Sequence, residues 1–241
     1  MKSKNLLVAF LIASAIFTSC NKETEEYIPQ EVDLTLDYTF VKSGSMTRAT
    51  GAGIYNNFYE KYIKNKELTP AAYSLTFKNK TSGATASVYG YWKNKDAIRL
   101  VEGDYEVTGT SSPADSYTIS DTVFISFNET VRITKDMKSI NLTAIYDSYL
   151  LLLDNENFND AYYYYYYSGY DNKRFDLLRT ESNYFLFIKA LGSGTNSLKL
   201  TRNDGKKIEI NLNNIPFEKG KYYYFNDMTN SFDIPPMEAG N

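Results

Sequence analysis

The stretch SLKLTRNDGKKIEINL, Ser197 to Leu212, decides the fold class. Leu198 and Leu200 on one side of Asn203-Asp204-Gly205, and Ile208, Ile210 and Leu212 on the other, alternate with polar residues. Alternation with period two marks a half-buried strand, and Asp-Gly readily takes the positive dihedrals of a tight turn, so the segment predicts an antiparallel hairpin.

The same pattern repeats on both sides of this hairpin. Tyr149 to Leu153, Tyr162 to Tyr167, Phe175 to Leu178, Tyr184 to Ile188 and Tyr222 to Phe225 are rich in aromatic and branched residues. So, upstream, are Tyr73 to Phe77, Thr85 to Trp92, Asp104 to Thr110, Thr118 to Phe127, Thr130 to Thr134 and Ile140 to Tyr146. Such residues fit a pleated sheet, and turn residues interrupt them at short intervals. A first strand is expected where Val32, Leu34, Leu36, Tyr38 and Phe40 alternate with polar neighbours. One segment reads otherwise: Ile54, Tyr55, Phe58, Tyr59, Tyr62 and Ile63 form an apolar stripe at helical spacing, ended before Pro70.

Many short strands and one helix argue for a mainly β protein of two antiparallel β-sandwich domains, transthyretin-like or immunoglobulin-like, with one short amphipathic helix in the first. Gly103-Asp104-Tyr105 and Gly220-Lys221-Tyr222 look like one device used twice, a glycine turn opening a strand with an inward aromatic two residues later. The expected division is a leader over 1–19, a tether over 20–30, sandwich domains over 31–147 and 148–236, and a tail over 237–241.

Lys2 and Lys4, the apolar run Leu6 to Phe17 and the small residues before Cys20 have the layout of a secretory signal. The apolar run is too short for a membrane span, which needs roughly 20 residues. Cys20 stands where a lipoprotein signal places the acylated cysteine, although Phe17 replaces the usual leucine, and it is the sole cysteine of the chain. Lipidation at Cys20 is therefore expected, with the membrane as the partner of that lipid. No cysteine is then left for a disulfide, so the fold must hold by packing. Cleavage leaves about 222 residues, enough for two domains of ordinary size. Loss of the two lysines moves the formal charge from −3 to about −5, which disfavours nucleic acid as a partner.

The chain contains no histidine. Triads built on imidazole, histidine zinc sites and the one side chain that titrates near neutrality are thereby absent, and no S-x-x-K occurs in the mature chain. Asp104 and Glu106 share a face of a predicted strand but read as a solvated face rather than a catalytic pair. Gly51-Ala52-Gly53 and Gly192-Ser193-Gly194 lack the third glycine and the strand-to-helix crossover of a phosphate cradle. Asp154 to Asp160 offers oxygens, but Phe158 occupies a ligand position of a calcium loop. The expectation is a non-enzymatic protein with no catalytic residue, metal or cofactor.

Tyr162, Tyr163, Tyr164, Tyr165, Tyr166 and Tyr167 stand in an unbroken row. On a strand they alternate, three to each face. Two readings stand: an exposed row suited to sugar rings or another protein, or a strand covered on both sides. Trp92 is a second candidate stacking platform for a glycan.

With these pieces in place, the chain resembles the fimbrial subunits and fimbrillin-like cell-surface lipoproteins of the Bacteroides type. The lysine and acidic residues from Asn21 to Glu26 resemble the export signal of lipoproteins displayed on the exterior of such cells. Ser45-Met46-Thr47-Arg48-Ala49-Thr50 resembles the loop cut after arginine in polymerising members. The resemblance implies Arg48 as a candidate cleavage site and Val32 to Phe40 as the strand that would leave, to be replaced by a neighbour's strand. An uncut chain would keep its strand and act as an anchor, accessory subunit or monomer, and the residues themselves favour reading Arg48 as an ordinary solvated residue of a polar loop. Asp121-Thr122-Val123 is similar to the O-glycosylation pattern of these bacteria, with Thr122 as acceptor. The implied function is a fimbria-related or adhesin-like component on the outer membrane, facing the exterior and meeting other fimbrial subunits or a host or glycan ligand. The alternative is a glycan-binding lipoprotein of a polysaccharide-uptake system.

Overall fold

The computed structural model describes residues 28–40, 57–111, 119–166, 173–192, 194–227 and 231–233. The leader, Cys20, Arg48 and Tyr167 lie outside these residues.

The described chain is almost all strand. In order it contains β1 (Glu31–Phe40), β2 (Ala72–Asn79), β3 (Thr85–Tyr91), β4 (Ala97–Val101), β5 (Gly103–Thr110), β6 (Ile119–Ser120), β7 (Ile125–Ile133) and β8 (Ser139–Tyr146). There follow β9 (Tyr149–Asp154), β10 (Phe158–Tyr166), β11 (Lys173–Asp176), β12 (Leu178–Arg179), β13 (Asn183–Ile188), β14 (Thr195–Arg202), β15 (Lys207–Asn211), β16 (Tyr222–Asn226) and β17 (Ser231–Asp233).

The first eight strands, β6 apart, form a seven-stranded sheet in the order β3-β2-β5-β7-β8-β1-β4. It bends between β7 and β8. β5 and β7 pair along Gly103–Thr110, whereas β7 meets β8 only at Ile125↔Tyr146 and Ser126↔Ile145. Where that ladder opens, the Glu129 carboxylate accepts from the Thr143 N–H at 2.5 Å and from its hydroxyl at 3.2 Å, so the freed amide stays paired. Leu75, Phe77, Val107 and Phe127 of one half share a core with Leu34, Leu36, Ile98 and Leu142 of the other, as in a sandwich.

The remaining strands make a four-stranded sheet, β11-β10-β14-β15, and a further sheet, β12-β13-β9-β16-β17, to whose β13 the short β6 also pairs. β9 and β13 are apolar at almost every position because both their faces are covered. Leu150, Leu152, Phe185, Phe187 and Tyr222 join the first core. Their alternates Tyr149, Leu151, Leu153, Tyr184, Leu186, Ile188 and Tyr223 join a second core closed by Ala161, Tyr163, Leu198 and Leu200 of the four-stranded sheet. One sheet is thus a wall common to two cores, and period-two alternation sends successive leucines into different ones.

Several sequence expectations change in detail. The sheets are not wholly antiparallel: β1 runs parallel to β8, and β9 parallel to β16. The helical stripe gives a π-turn over Tyr59–Ile63, with the Lys64 N–H bonded five residues back to Tyr59 O at 2.9 Å. Phe58, Tyr59 and Ile63 are buried as their spacing required, and Phe58 packs on Phe185 with ring centres 5.3 Å apart. Ile54 and Tyr55 lie outside the described residues. The expected strand over Thr118–Phe127 is broken by a bend at Asp121 and Thr122, while Ile125–Ile133 runs unbroken through Asn128 and Glu129. β4, which carries Arg99 in five residues, was not expected; Ile98 and Leu100 point into the core from it. Glu102 at its end is 9% exposed and accepts from the Gln30 and Lys135 N–H groups at 3.0 and 2.7 Å, pinning the start of β1.

The Asn203-Asp204-Gly205 hairpin forms as read: β14 and β15 are antiparallel and Gly205 takes a φ of +85°. The paired glycine device also holds. Gly103 and Gly220 open β5 and the approach to β16 at φ values of +150° and +77°, and Tyr105 and Tyr222 are both buried.

Candidate functional site

The row of tyrosines lies on β10, between β11 and β14. Alternation divides it. Tyr163 is 1% exposed, and its hydroxyl donates to Asn196 Oδ1. Asn196 is itself fully buried and spends its Nδ2 on Gly192 O (2.9 Å), Gly194 O (2.8 Å) and Asn213 Oδ1 (3.0 Å). Tyr163 is therefore a core residue, held by a closed polar network, and burial pushes its phenol pKa up. Tyr165 packs half-buried against the same core. Neither is the surface contact considered from sequence.

Tyr162 and Tyr164 occupy the opposite face and are half-buried rather than exposed. The register sets Tyr162 beside Lys199 and Asp176, and Tyr164 beside Arg174 and Ser197. The Arg174 guanidinium lies 3.9 Å from the Tyr162 ring centre, and Lys199 Nζ lies 4.7 Å from that of Tyr164. Arg174 also bridges Asp160 at 3.1 Å and Asp176 at 2.5 Å, and Lys199 bridges Glu209 at 3.2 Å. Of these, Asp160, Tyr162, Arg174, Lys199 and Glu209 line an open groove of about 640 Å³, within the ~300–1,000 Å³ of small-ligand sites. Because each ring already carries a cation, a sugar could not stack on that face without displacing it. What the groove offers instead is an alternation of charged groups of both signs around phenol edges, suited to a polar partner surface. Tyr166 belongs to the same strand.

Trp92 is not a surface platform. It is 9% exposed, its ring centre lies 4.4 Å from that of Tyr73 and 4.6 Å from that of Tyr38, and its Nε1–H donates to Ser111 Oγ at 2.7 Å. Among the described residues, the most exposed aromatic pair is one the sequence did not single out. Tyr89 and Tyr91 on the edge strand β3 are 70% and 42% exposed, with ring centres 6.0 Å apart. Their alternation was visible, but nothing in the sequence marks β3 as an edge.

Thr122 lies in the bend between β6 and β7, not within a strand, and its hydroxyl is 3.0 Å from Ser120 Oγ. The stretch Asp154 to Asp160 is the turn from β9 into β10. Its Asn155 side chain donates to Thr180 O and Glu181 O at 3.1 and 2.7 Å, and Phe158 is buried. The strand expected to be exchangeable, β1, lies between β8 and β4, paired with β8 over Thr35–Phe40 and with β4 over Glu31–Thr35. It buries Val32, Leu34, Leu36 and Tyr38.

No protein-family model matches the chain, and no curated protein matches it. Solved structures do. A fimbrial assembly protein from Parabacteroides distasonis is 14% identical over 82% of this chain and 90% of its own, with a TM-score of 0.41. A C-terminally truncated tip fimbrial protein from Porphyromonas gingivalis is 8% identical over 69% and 92%, with a TM-score of 0.37. A protein from Bacteroides thetaiotaomicron named for polysaccharide binding is 10% identical over 80% and 91%, also at 0.37.

Proposed function

We propose that this protein is a lipid-anchored component of the bacterial cell surface that acts by binding rather than catalysis, of the fimbria-related or adhesin-like kind. Its lipid sits on Cys20, its tether follows, and two sandwich units face the exterior. The observation that carries this reading is the placement of β1. It is the first strand of the described chain, and it sits between two strands that come later in sequence, parallel to one of them. It can therefore leave or be replaced without breaking any other connection, and its departure would open a groove lined by ladder groups of β8 and β4. Strand addition fills such a groove through main-chain hydrogen bonds, with side-chain pockets fixing the register.

Two measurements test it. Radiolabelled palmitate should be incorporated by the native chain and lost in Cys20→Ser. Cleavage by an arginine-specific protease should occur at Arg48 and lead to assembly. A chain that stays monomeric after cleavage at Arg48 refutes exchange of β1 and leaves an anchor or monomeric adhesin. The second reading is a glycan-binding lipoprotein, for which the charged groups lining the groove beside Tyr162 would offer hydrogen bonds to sugar hydroxyls rather than a stacking face. A glycan array selective for particular sugars, with binding lost in Tyr162→Ala, supports that reading, and a blank array counts against it.

A further inference from the structure

A different groove, of about 400 Å³, opens over Tyr38 and Trp92 of the first core. It is assembled from three places: Asp37 and Tyr38 on β1, the turn from Lys66 to Ala71 after the π-turn, and the turn from Trp92 to Lys95 between β3 and β4. Its size falls in the small-ligand range of ~300–1,000 Å³.

The floor is aromatic. Tyr38 is 1% exposed and Trp92 9%. Because the indole N–H is committed to Ser111, Trp92 presents only carbon to the groove. The Tyr38 hydroxyl is different: it is buried and makes no hydrogen bond, while the neighbouring Thr69 hydroxyl donates to Lys66 O at 2.8 Å. Buried hydroxyls are nearly always paired, so an unpaired one in the lining of a groove marks a position for a ligand atom. Burial pushes the Tyr38 phenol up to about 12, which keeps it protonated and able to donate at neutral pH.

The rim supplies charge. Lys66 bridges Asp37 and lies 4.1 Å from the Tyr38 ring centre, so its charge is already matched. Lys93 and Lys95 also line the groove; neither forms a direct ion pair among the described residues, although the charge of Lys95 helps to hold the Asp37 carboxyl below its ordinary value. Lys95 is held at a φ of +51°, a left-handed conformation uncommon for a side chain of its kind. The groups left to a ligand are therefore a phenol and two ammoniums over an apolar floor.

The geometry points to this groove as a binding site for an acidic sugar residue, its carboxylate at Lys93 and Lys95, a ring oxygen or hydroxyl at Tyr38 Oη, and its C–H groups against Pro70 and the small accessible edge of Trp92. Asp37 and Glu67 on the same rim repel a densely charged polyanion, so one carboxylate on an apolar ring fits better than a chain of phosphates. This site is separate from the groove on β10, and it is complete only while β1 is in place.

Trp92 is the sole tryptophan of the chain, so its fluorescence reports on this groove directly. Titration with a glucuronate-containing disaccharide should give a saturable change, and a neutral glucose disaccharide or inorganic phosphate should give none. Lys93→Gln with Lys95→Asn, asparagine being tolerant of the left-handed backbone, should weaken binding by about tenfold or more. Tyr38→Phe should weaken binding while leaving the melting temperature unchanged or higher, because the lost hydroxyl had no partner in the protein. No response to the uronate, or an equal response to the neutral sugar or to phosphate, overturns the assignment. So does a lowered melting temperature in Tyr38→Phe, which would show the hydroxyl to be paired within the fold.

Discussion

Adjacent leucines on β9 serve different cores, and that makes the shared wall testable by two substitutions one residue apart. Leu150 faces the first core and Leu151 the second, and both are fully buried. Truncating either to alanine removes the same transfer energy and leaves a cavity, for a cost of about 3–5 kcal/mol. In a chain of this size about 1 kcal/mol moves the melting temperature by roughly 2–4 °C, so each variant should fall by roughly 6–20 °C. The decisive quantity is which transition moves. If β9, β13 and β16 form a wall common to both cores, loss of either core exposes the face that the other needs, and the chain unfolds once. Scanning calorimetry of the wild type, Leu150→Ala and Leu151→Ala should then show one transition in each, lowered in both variants. Two separated transitions, with Leu150→Ala moving one and Leu151→Ala only the other, would refute the shared wall.

Tyr163→Phe leaves Asn196 Oδ1 buried without its donor and should cost about 1–3 kcal/mol, read as a lowered urea midpoint; an unmoved midpoint would contradict the network. Tyr162→Ala combined with Tyr164→Ala loses two cation contacts of about 0.5–1 kcal/mol each, so stability should fall only slightly while partner binding is lost, checked by melting alongside a cell- or subunit-binding assay. Asp37 supplies a pH test. Partial burial pushes its carboxyl upward, but bonds from the Lys66 ammonium and the Tyr38 N–H outweigh this and hold it below the ordinary value. A lowered folded pKa gives stability that is present above the unfolded value and is lost as pH falls through the folded one. The stability gap between wild type and Asp37→Asn should thus be constant from neutrality down to about pH 5 and close below about pH 4. A gap that widens in acid would reverse the sign.

Much of the fold was legible because period-two alternation and turn chemistry are local. The Asp204-Gly205 hairpin, β1, and the inward tyrosines after Gly103 and Gly220 all follow from a few neighbouring residues. What was not legible depends on which strands become neighbours. The parallel pairs β1·β8 and β9·β16 join residues about a hundred or fewer positions apart, and no local pattern announces them. Tyr149 to Leu153 read as a strand, but not as one whose two faces line different cores. The site fared likewise. Alternation divided the tyrosines correctly, yet the cations over Tyr162 and Tyr164 arrive from β11 and β14 by register. Nothing beside Trp92 in the chain shows how far it is buried, which depends on the packing of Tyr38, Tyr73 and Phe127 around it.

The two proposals meet on β1. Asp37 and Tyr38 of the acidic-sugar groove belong to that strand, whereas Lys66, Trp92, Lys93 and Lys95 belong to the body that would remain if it left. A ligand that needs Tyr38 binds only while β1 is in place, so by linkage it must oppose the strand's departure by the same factor by which the departure weakens its binding. At a hundred times its dissociation constant a ligand stabilises the state it binds by about 2.7 kcal/mol, close to a hundredfold in the equilibrium. After cleavage at Arg48, a saturating uronate should accordingly slow the loss of β1 in the wild type and have no effect in Lys93→Gln with Lys95→Asn. An equal rate with and without bound sugar would separate the groove from assembly and leave each to stand alone.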